Sequence, residues 1–363
     1  MKLCFLAGAN SVHSERWVRY FAEKGHEVHW VSLGVGTDKV INNTRFYLIK
    51  KFPFLRLLRP LFYALAVRKI LREVKPDIFH VHQVWIHGTM AALIGYRPLV
   101  ITPWGSDILL GQRSWLQRPL IKYTLRKGDL FTCDAEHMRK TMIELGCKPE
   151  KIKIIYFGTD TQKFNPSKRS ETLRRQLLIF DSPMVISLRS FRSLYDVSSL
   201  VKAIPLVLQK IPSARFVIAG GGPQEGELKA LAQELGVSES INFVGSIPND
   251  ELPQYLASSD LYVSTSLSDA GLAASTAEAM ACGLPVIITN TAENNLWVSD
   301  GVGGYVVPVK TPHLLAEKII FLLINSDLRR KCGEVNRKVI SERNNYYKEM
   351  EKMDDIYKEL LLV

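Results

Sequence analysis

The sequence predicts an α/β protein of two Rossmann-like domains, each a doubly wound parallel sheet, facing each other across a cleft. Three observations lead there. The chain has 363 residues, more than a single core comfortably serves and about right for two ordinary domains. Short apolar runs alternate with helix-period stretches along its length, as βαβ units require. The alternation breaks once, in the polar stretch 159–175 around Asn165-Pro166-Ser167, and then resumes.

In order, the strand-like runs of the first half are 3–7, 28–32, 46–49, 78–82, 99–102, 130–133 and 152–156. Each is a compact apolar block, the pattern of a strand covered on both faces. Between them, 15–24, 61–74 and 136–145 have helical spacing. Strand-like runs of the second half are 184–188, 215–219, 241–244, 261–264, 285–289 and 305–307. The expected division is a first domain over 1–165 and a second over 166–344. A charge-rich helical stretch at 345–363 is a candidate to return to the first domain.

Composition is globular, with 47% hydrophobic and 23% charged residues. No apolar run approaches the roughly 20 residues that span a bilayer. Met1–Ala9 reads as a first strand running into a glycine, not as a secretory leader. The five cysteines, at 4, 133, 147, 282 and 332, are widely spaced and form no C-x-x-C pair. That favours a reducing, cytoplasmic setting over a disulfide framework or a zinc site, with Cys4 and Cys282 as small buried hydrophobes.

The net charge of +11 admits nucleic acid, anionic membrane or anionic small molecules as partners. Position is more informative than the total. Residues 50–75 hold eight Lys and Arg against the single acid Glu73, interleaved with Phe52, Phe54, Leu61 and Phe62. Residues 111–128 add five basic residues beside Trp115 and Leu116. Such mixtures suit an anionic membrane surface, here the inner face of the plasma membrane. The competing reading makes the apolar set the core face of two helices. Nucleic acid is the weakest partner, because charge alone would have to explain two complete Rossmann-like halves.

The sharpest constellation follows the run 261–264. A loop of small residues, with Asp269, Gly271 and Leu272, leads into a helix near Ala274 that carries Glu278-Ala-Met-Ala-Cys-Gly-Leu-Pro-Val286. Small residues let backbone amides approach a diphosphate, and a helix N-terminus adds positive potential. Glu278, one turn in, can accept hydrogen bonds from ribose hydroxyls. Alone, it also reads as an acid complementing the helix dipole.

This segment resembles the donor signature of glycosyltransferase family 4, E-G-x-x-x-x-x-x-E-A-M-A-x-G-x-P-V. The resemblance extends along the chain through Gly25-His26-Glu27-Val28, Pro76-Asp-Ile-Phe-His-Val-His82, Lys151-Ile-Lys-Ile-Ile-Tyr-Phe-Gly158, Phe216-Val-Ile-Ala-Gly-Gly-Gly222-Pro223 and Phe243-Val-Gly245. It implies a GT-B fold and a retaining, nucleotide-sugar-dependent transferase without a metal or other cofactor. The donor is expected on the second domain. A glycan or lipid-linked acceptor of cell-surface polysaccharide or glycoconjugate synthesis is expected on the first.

Site residues follow by position. Arg189, with Arg192 as a second charge, matches the arginine that neutralises the leaving diphosphate, and Gly222 and Gly245 line the donor. The sequence departs from the family at three places. Ala270 stands where the first acid of the donor signature is expected, which leaves Asp269 as its candidate substitute. The lysine expected after Arg189 is missing, with Tyr195 and Asp196 near its place. Trp104, in Thr102-Pro-Trp104-Gly-Ser-Asp107, replaces a histidine near the acceptor. Trp104, Asp107, His13 and His87, with His82 nearby, are therefore the acceptor-side candidates. Asp107 joins Arg189 and Asp269 as candidate catalytic groups.

No Asp-x-Asp or His/Cys cluster marks a metal, and Gly220-Gly-Gly-Pro223 fits neither a dinucleotide fingerprint nor a P-loop. The alternatives kept open are a nucleotide-sugar 2-epimerase and an inactive sugar-binding homologue.

Overall fold

The computed structural model describes residues 1–50, 59–269 and 271–362. The chain divides into two compact units, Met1–Phe157 with Tyr347–Val363, and Gly158–Tyr346.

Among the described residues the first unit holds seven strands: β1 (Lys2–Leu6), β2 (Glu27–Leu33), β3 (Thr44–Ile49), β4 (Ile78–His82), β5 (Leu99–Thr102), β6 (Leu130–Cys133) and β7 (Ile152–Ile154). They pair in the order β3-β2-β1-β4-β5-β6-β7, all parallel. Its helices are α1 (Val12–Glu23), α2 (Arg59–Val74), α3 (Thr89–Ile94), α4 (Ser106–Leu109), α5 (Gln117–Lys127) and α6 (Glu136–Glu144). In α1, Trp17, Val18, Phe21 and Ala22 form one buried face. The helix begins earlier than its apolar pattern because Ser11 caps it, accepting from the Ser14 amide.

The second unit holds β8 (Met184–Leu188), β9 (Arg215–Ala219), β10 (Ile241–Gly245), β11 (Leu261–Ser264), β12 (Val286–Thr289) and β13 (Gly304–Val307). Their order is β10-β9-β8-β11-β12-β13, again parallel. Helices α7 (Glu171–Gln176), α8 (Val197–Leu208), α9 (Glu225–Glu234), α10 (Leu252–Ala257), α11 (Ala274–Ala281), α12 (Asn294–Trp297), α13 (Pro312–Ile324) and α14 (Ser326–Arg343) complete it. A core of Val201, Ile204, Phe216, Leu261, Val263 and Ile319 joins α8 and α13 to one sheet face.

The last helix, α15 (Tyr346–Leu362), packs on the first unit. Met350, Met353 and Tyr357 are fully buried at helical spacing, and Asp354 meets His26 at 2.7 Å. The Tyr357 hydroxyl also hydrogen-bonds His80 inside the β4 strand. The break between units falls upstream of the expected Asn165-Pro166, for a local reason. Thr159 bridges Asn345, and a side chain on Gly158 would stand 2.4 Å from the Tyr346 backbone. Residues 158–165 are thereby tied to the end of the second unit.

In each sheet the strand order reverses once, at β1/β4 and at β8/β11. Loops leaving the carboxyl ends of those strands diverge and leave room for a ligand.

Candidate active site

On the second unit, β8 ends at Leu188 and delivers Arg189 into the crevice at the β8/β11 reversal. Arg189 is buried and forms an ion pair with Asp269 from the loop after β11. Its guanidinium lies 4.4 Å from the Tyr195 ring centroid and donates to Ser275 Oγ at 3.4 Å. Ser275 in turn meets the buried Tyr262 hydroxyl at 2.8 Å. One guanidinium nitrogen, Nε, is buried without a hydrogen-bond partner among the described residues. Burial pushes the Asp269 carboxyl above its ordinary value, while Arg189 and a hydrogen bond from Ser266 pull it back.

The surrounding loops are pressed together. A Cβ on Gly220 would lie 2.3 Å from the Arg189 carbonyl, and one on Gly222 2.5 Å from that of Phe191. Both glycines have positive φ, so only glycine lets the β9 exit lie on the β8 exit. The Leu267 amide and Thr265 hydroxyl bind the carbonyls of Leu194 and Tyr195 at 2.8 and 3.0 Å. Gly245 closes β10 at φ 68 and accepts from the Gly220 amide.

Helix α11 has no side-chain cap at its N-terminus. Its first amides therefore keep their anion-binding capacity, beside the Arg189 contact at Ser275. Glu278, half-buried, stands three residues after Ser275 and shares that helix face. Gly271 is buried and Leu272 half-buried just before the helix, while Arg192 is exposed. Asp196, near the place of the expected lysine, precedes α8 and accepts from the hydroxyls of Ser198 and Ser199.

On the first unit, α1 and the ends of β4 and β5 bring aromatic and imidazole rings together. His13 packs 4.6 Å from Phe157 and 5.9 Å from Trp104, and His82 lies 5.6 Å from Trp104. Three ring nitrogens here, His13 Nδ1, His82 Nε2 and Trp104 Nε1, are buried without a hydrogen-bond partner among the described residues. Burial lowers His13 to about 4, assisted by Arg16, and His82 to about 3, assisted by His87 and His13. The pair is thus neutral at pH 7. His87 contacts the His82 carbonyl at 3.1 Å. Asp107 accepts from the amides of Val84 at 2.7 Å and Trp104 at 2.8 Å; burial pushes its carboxyl above the ordinary value, and backbone hydrogen bonds pull it back. These two bonds join the β4 and β5 exits through one carboxylate, which keeps acceptor capacity to spare.

Two family models match, Glycosyltransferase Family 4 over residues 11–163 and Glycosyl transferases group 1 over 169–339. The chain is a family 4-type glycosyltransferase. N-acetyl-alpha-D-glucosaminyl L-malate synthase of Bacillus anthracis is 29% identical over 370 residues, covering 98% of this chain and 94% of that one. A GDP-mannose-dependent alpha-(1-6)-phosphatidylinositol monomannoside mannosyltransferase of Mycobacterium tuberculosis is 26% identical, covering 69% and 67%. Among solved structures, Anabaena HepE in complex with UDP superposes with a TM-score of 0.81 at 19% identity, covering 99% of this chain and 100% of that one. Sucrose-phosphate synthase from Thermosynechococcus elongatus gives 0.84 at 19%, with full coverage of both. The fold is GT-B.

In this glycosyltransferase the structure brings Arg189, Asp269 and the face of Glu278 to one crevice, and His13, Trp104, His82 and His87 to another. Tyr195, Tyr262 and Ser275 complete the first and were not singled out as ligands of Arg189. Tyr195 was visible only as a neighbour of the missing lysine; Ser275 carried no signal beyond its place in the first turn of α11. Among the described residues no three His, Cys, Asp or Glu stand together as a metal site. No helix among them is long and apolar enough to cross a membrane. All five cysteines are buried and free, and burial pushes Cys4 up to about 12.

Proposed function

We propose that this enzyme is a retaining, metal-independent transferase that moves a sugar from a nucleotide-sugar donor on its second unit to a glycan or lipid-linked acceptor on its first. The reaction serves cell-surface polysaccharide or glycoconjugate synthesis at the cytoplasmic face of a membrane. The observation that carries the donor half is the uncapped N-terminus of α11 beside the buried, partly unsatisfied Arg189. Leaving-group charge is met there by Arg189, the amides around Gly271 and Leu272, and the exposed charge of Arg192. Glu278 accepts from ribose hydroxyls, and the bend at Gly245 presents backbone to the base.

On the first unit, Trp104 offers an apolar face to a sugar ring, and neutral His13 and His82 suit uncharged hydroxyls. Retention and metal independence rest on the family 4 resemblance. The nucleotide-sugar class is supported by relatives named for GDP-mannose and by HepE structures with UDP-glucose. Thermal unfolding against a panel of UDP- and GDP-sugars tests the donor half, since a ligand at 100 times its Kd stabilises by about 2.7 kcal/mol. Failure of the whole panel to raise Tm refutes it. Incubation with the stabilising donor alone separates a transferase, which leaves the sugar unchanged or slowly hydrolysed, from a 2-epimerase.

A further inference from the structure

We infer that the acceptor is an amphiphile whose hydrocarbon chain lies in a groove formed by α2, α3 and α5 and whose polar head enters the adjoining pocket. This rests on the reading of the first unit as the acceptor half. The groove encloses about 670 Å³, within the range of about 300–1,000 Å³ usual for ligand sites. Leu61, Leu65, Trp85, Ile86, Leu93 and Leu120 line it, and all six are exposed by 36% or more. A patch of that kind on a folded surface marks a binding face.

The sequence pattern of α2 and α5 left two readings, membrane face or core face, and the structure divides them by residue. Val67, Leu71 and Val74 of α2 and Ile121 and Leu125 of α5 enter the core. Leu61, Phe62 and Leu65, with Leu116 and Leu120, do not.

A second pocket, of about 490 Å³, shares the wall made by Trp85 and Ile86 and carries more polar side chains than the groove, with Leu110 among its apolar ones. Its lining includes Gln83, Ser106, Asp107, Ser114 and Gln117. Gln83 is held at φ 74, a conformation costly for a residue with a side chain, directly after β4 at the strand-order reversal. An apolar groove that shares a wall with a more polar pocket matches one ligand with a tail and a head better than two unrelated ligands.

Charge selects the occupant. Helix α2 carries Arg68, Lys69 and Arg72 and α5 carries Arg118, Lys122, Arg126 and Lys127; Arg68 lines the groove itself, and the one acid of these two helices among the described residues, Glu73, pairs with Lys69. A second copy of this chain would set the same basic helices against each other. A lipid anchored in an anionic surface places opposite charge against them and supplies the chain.

The test uses cis-parinaric acid, a fluorescent single-chain fatty acid, with UDP and GDP titrated in parallel. Wild type should bind one fatty acid per chain. Leu65→Glu and Leu93→Glu, at exposed positions that keep the fold by circular dichroism, should each weaken it at least tenfold and leave nucleotide affinity unchanged. No binding by wild type, or equal binding by both variants, overturns the inference. So does a wild-type dimer that either variant converts to monomer, because the groove would then be covered by a second copy. A wild type that binds the fatty acid but neither nucleotide would strike the donor reading and leave the groove standing.

Discussion

Arg189 and Asp269, eighty positions apart, form a buried ion pair at the mouth of the second sheet, with the Tyr195 ring against the guanidinium. The arginine matched to the leaving diphosphate thus has a carboxylate as its partner. On the proposed function, a diphosphate at α11 would compete with Asp269 for that cation.

Breaking one partner of such a pair leaves an uncompensated buried charge and costs about 3–5 kcal/mol. Asp269→Asn should therefore lower stability by about 3 kcal/mol and regain more of it on adding nucleoside diphosphate than wild type does. Arg189→Ala should lower kcat more than it raises the donor KM, because its contribution grows as negative charge develops. Calorimetric melts and steady-state kinetics check both. Wild-type turnover in Arg189→Ala would transfer the role to Arg192.

Glu278 shares a helix face with Ser275, the Arg189 contact. Its loss should cost about 1.5–3 kcal/mol of donor binding, the range for hydrogen bonds to a charged group. Isothermal titration of Glu278→Ala should give a donor Kd raised at least tenfold with an unchanged melting curve. An unchanged Kd would remove Glu278 from the site.

Asp107 separates a clasp from an acid–base group. As a clasp its worth lies in acceptor oxygens, of which Asn keeps one and Ala none. Asp107→Ala should lose about 1–3 kcal/mol of stability and most activity, and Asp107→Asn should recover a large part of both. Equal inactivity of two fully stable variants would restore a proton-transfer role.

His13 and His82 have folded values near 4 and 3, below the ordinary 6.5. The unfolded chain binds protons first as pH falls. Stability from this pair is therefore complete above about pH 6.5 and is lost toward pH 4, by about 1.4 kcal/mol per unit for each group. Melting temperature measured from pH 7.5 to 4.5 should fall through that window, with a shallower slope in His82→Gln. Identical slopes would place the acid sensitivity elsewhere.

Membrane association was expected over residues 50–75, of which Lys51–Leu58 lie outside the described residues. The described part, α2, does expose Leu61, Phe62 and Leu65 beside Arg68 and Arg72. Sedimentation should show binding to anionic vesicles that weakens with salt and again in Arg68→Glu/Arg72→Glu, each cation contributing about 1 kcal/mol. Absence of binding at low salt would favour a soluble acceptor.

All thirteen strands among the described residues were legible because buried parallel strands are apolar on both faces and need no partner to be recognised. Their ends shifted by a residue or two, where hydrogen bonding and not hydrophobicity decides. Glycine positions such as Gly222 and Gly245 were legible as loop signals, since positive φ leaves few other choices. Roles were less legible than positions. Asp269 and Asp107 were both read as chemistry-bearing acids; the structure adds that one pairs with Arg189 and that the other accepts from the amides of Val84 and Trp104.

Periodicity, length and turn chemistry are local, so the sequence by itself determined two doubly wound sheets, their strand blocks and the neighbourhood of the donor loop. Side-chain pairing is not local. Only the tertiary structure decided that Tyr195 and Ser275 meet Arg189, that α15 closes on His26 and His80, and which leucines of α2 face outward. Each depends on which elements the sheet order sets side by side. The same amphipathic stripe is a core face or a binding face according to whether a neighbouring helix covers it, and that neighbour is chosen by the fold as a whole.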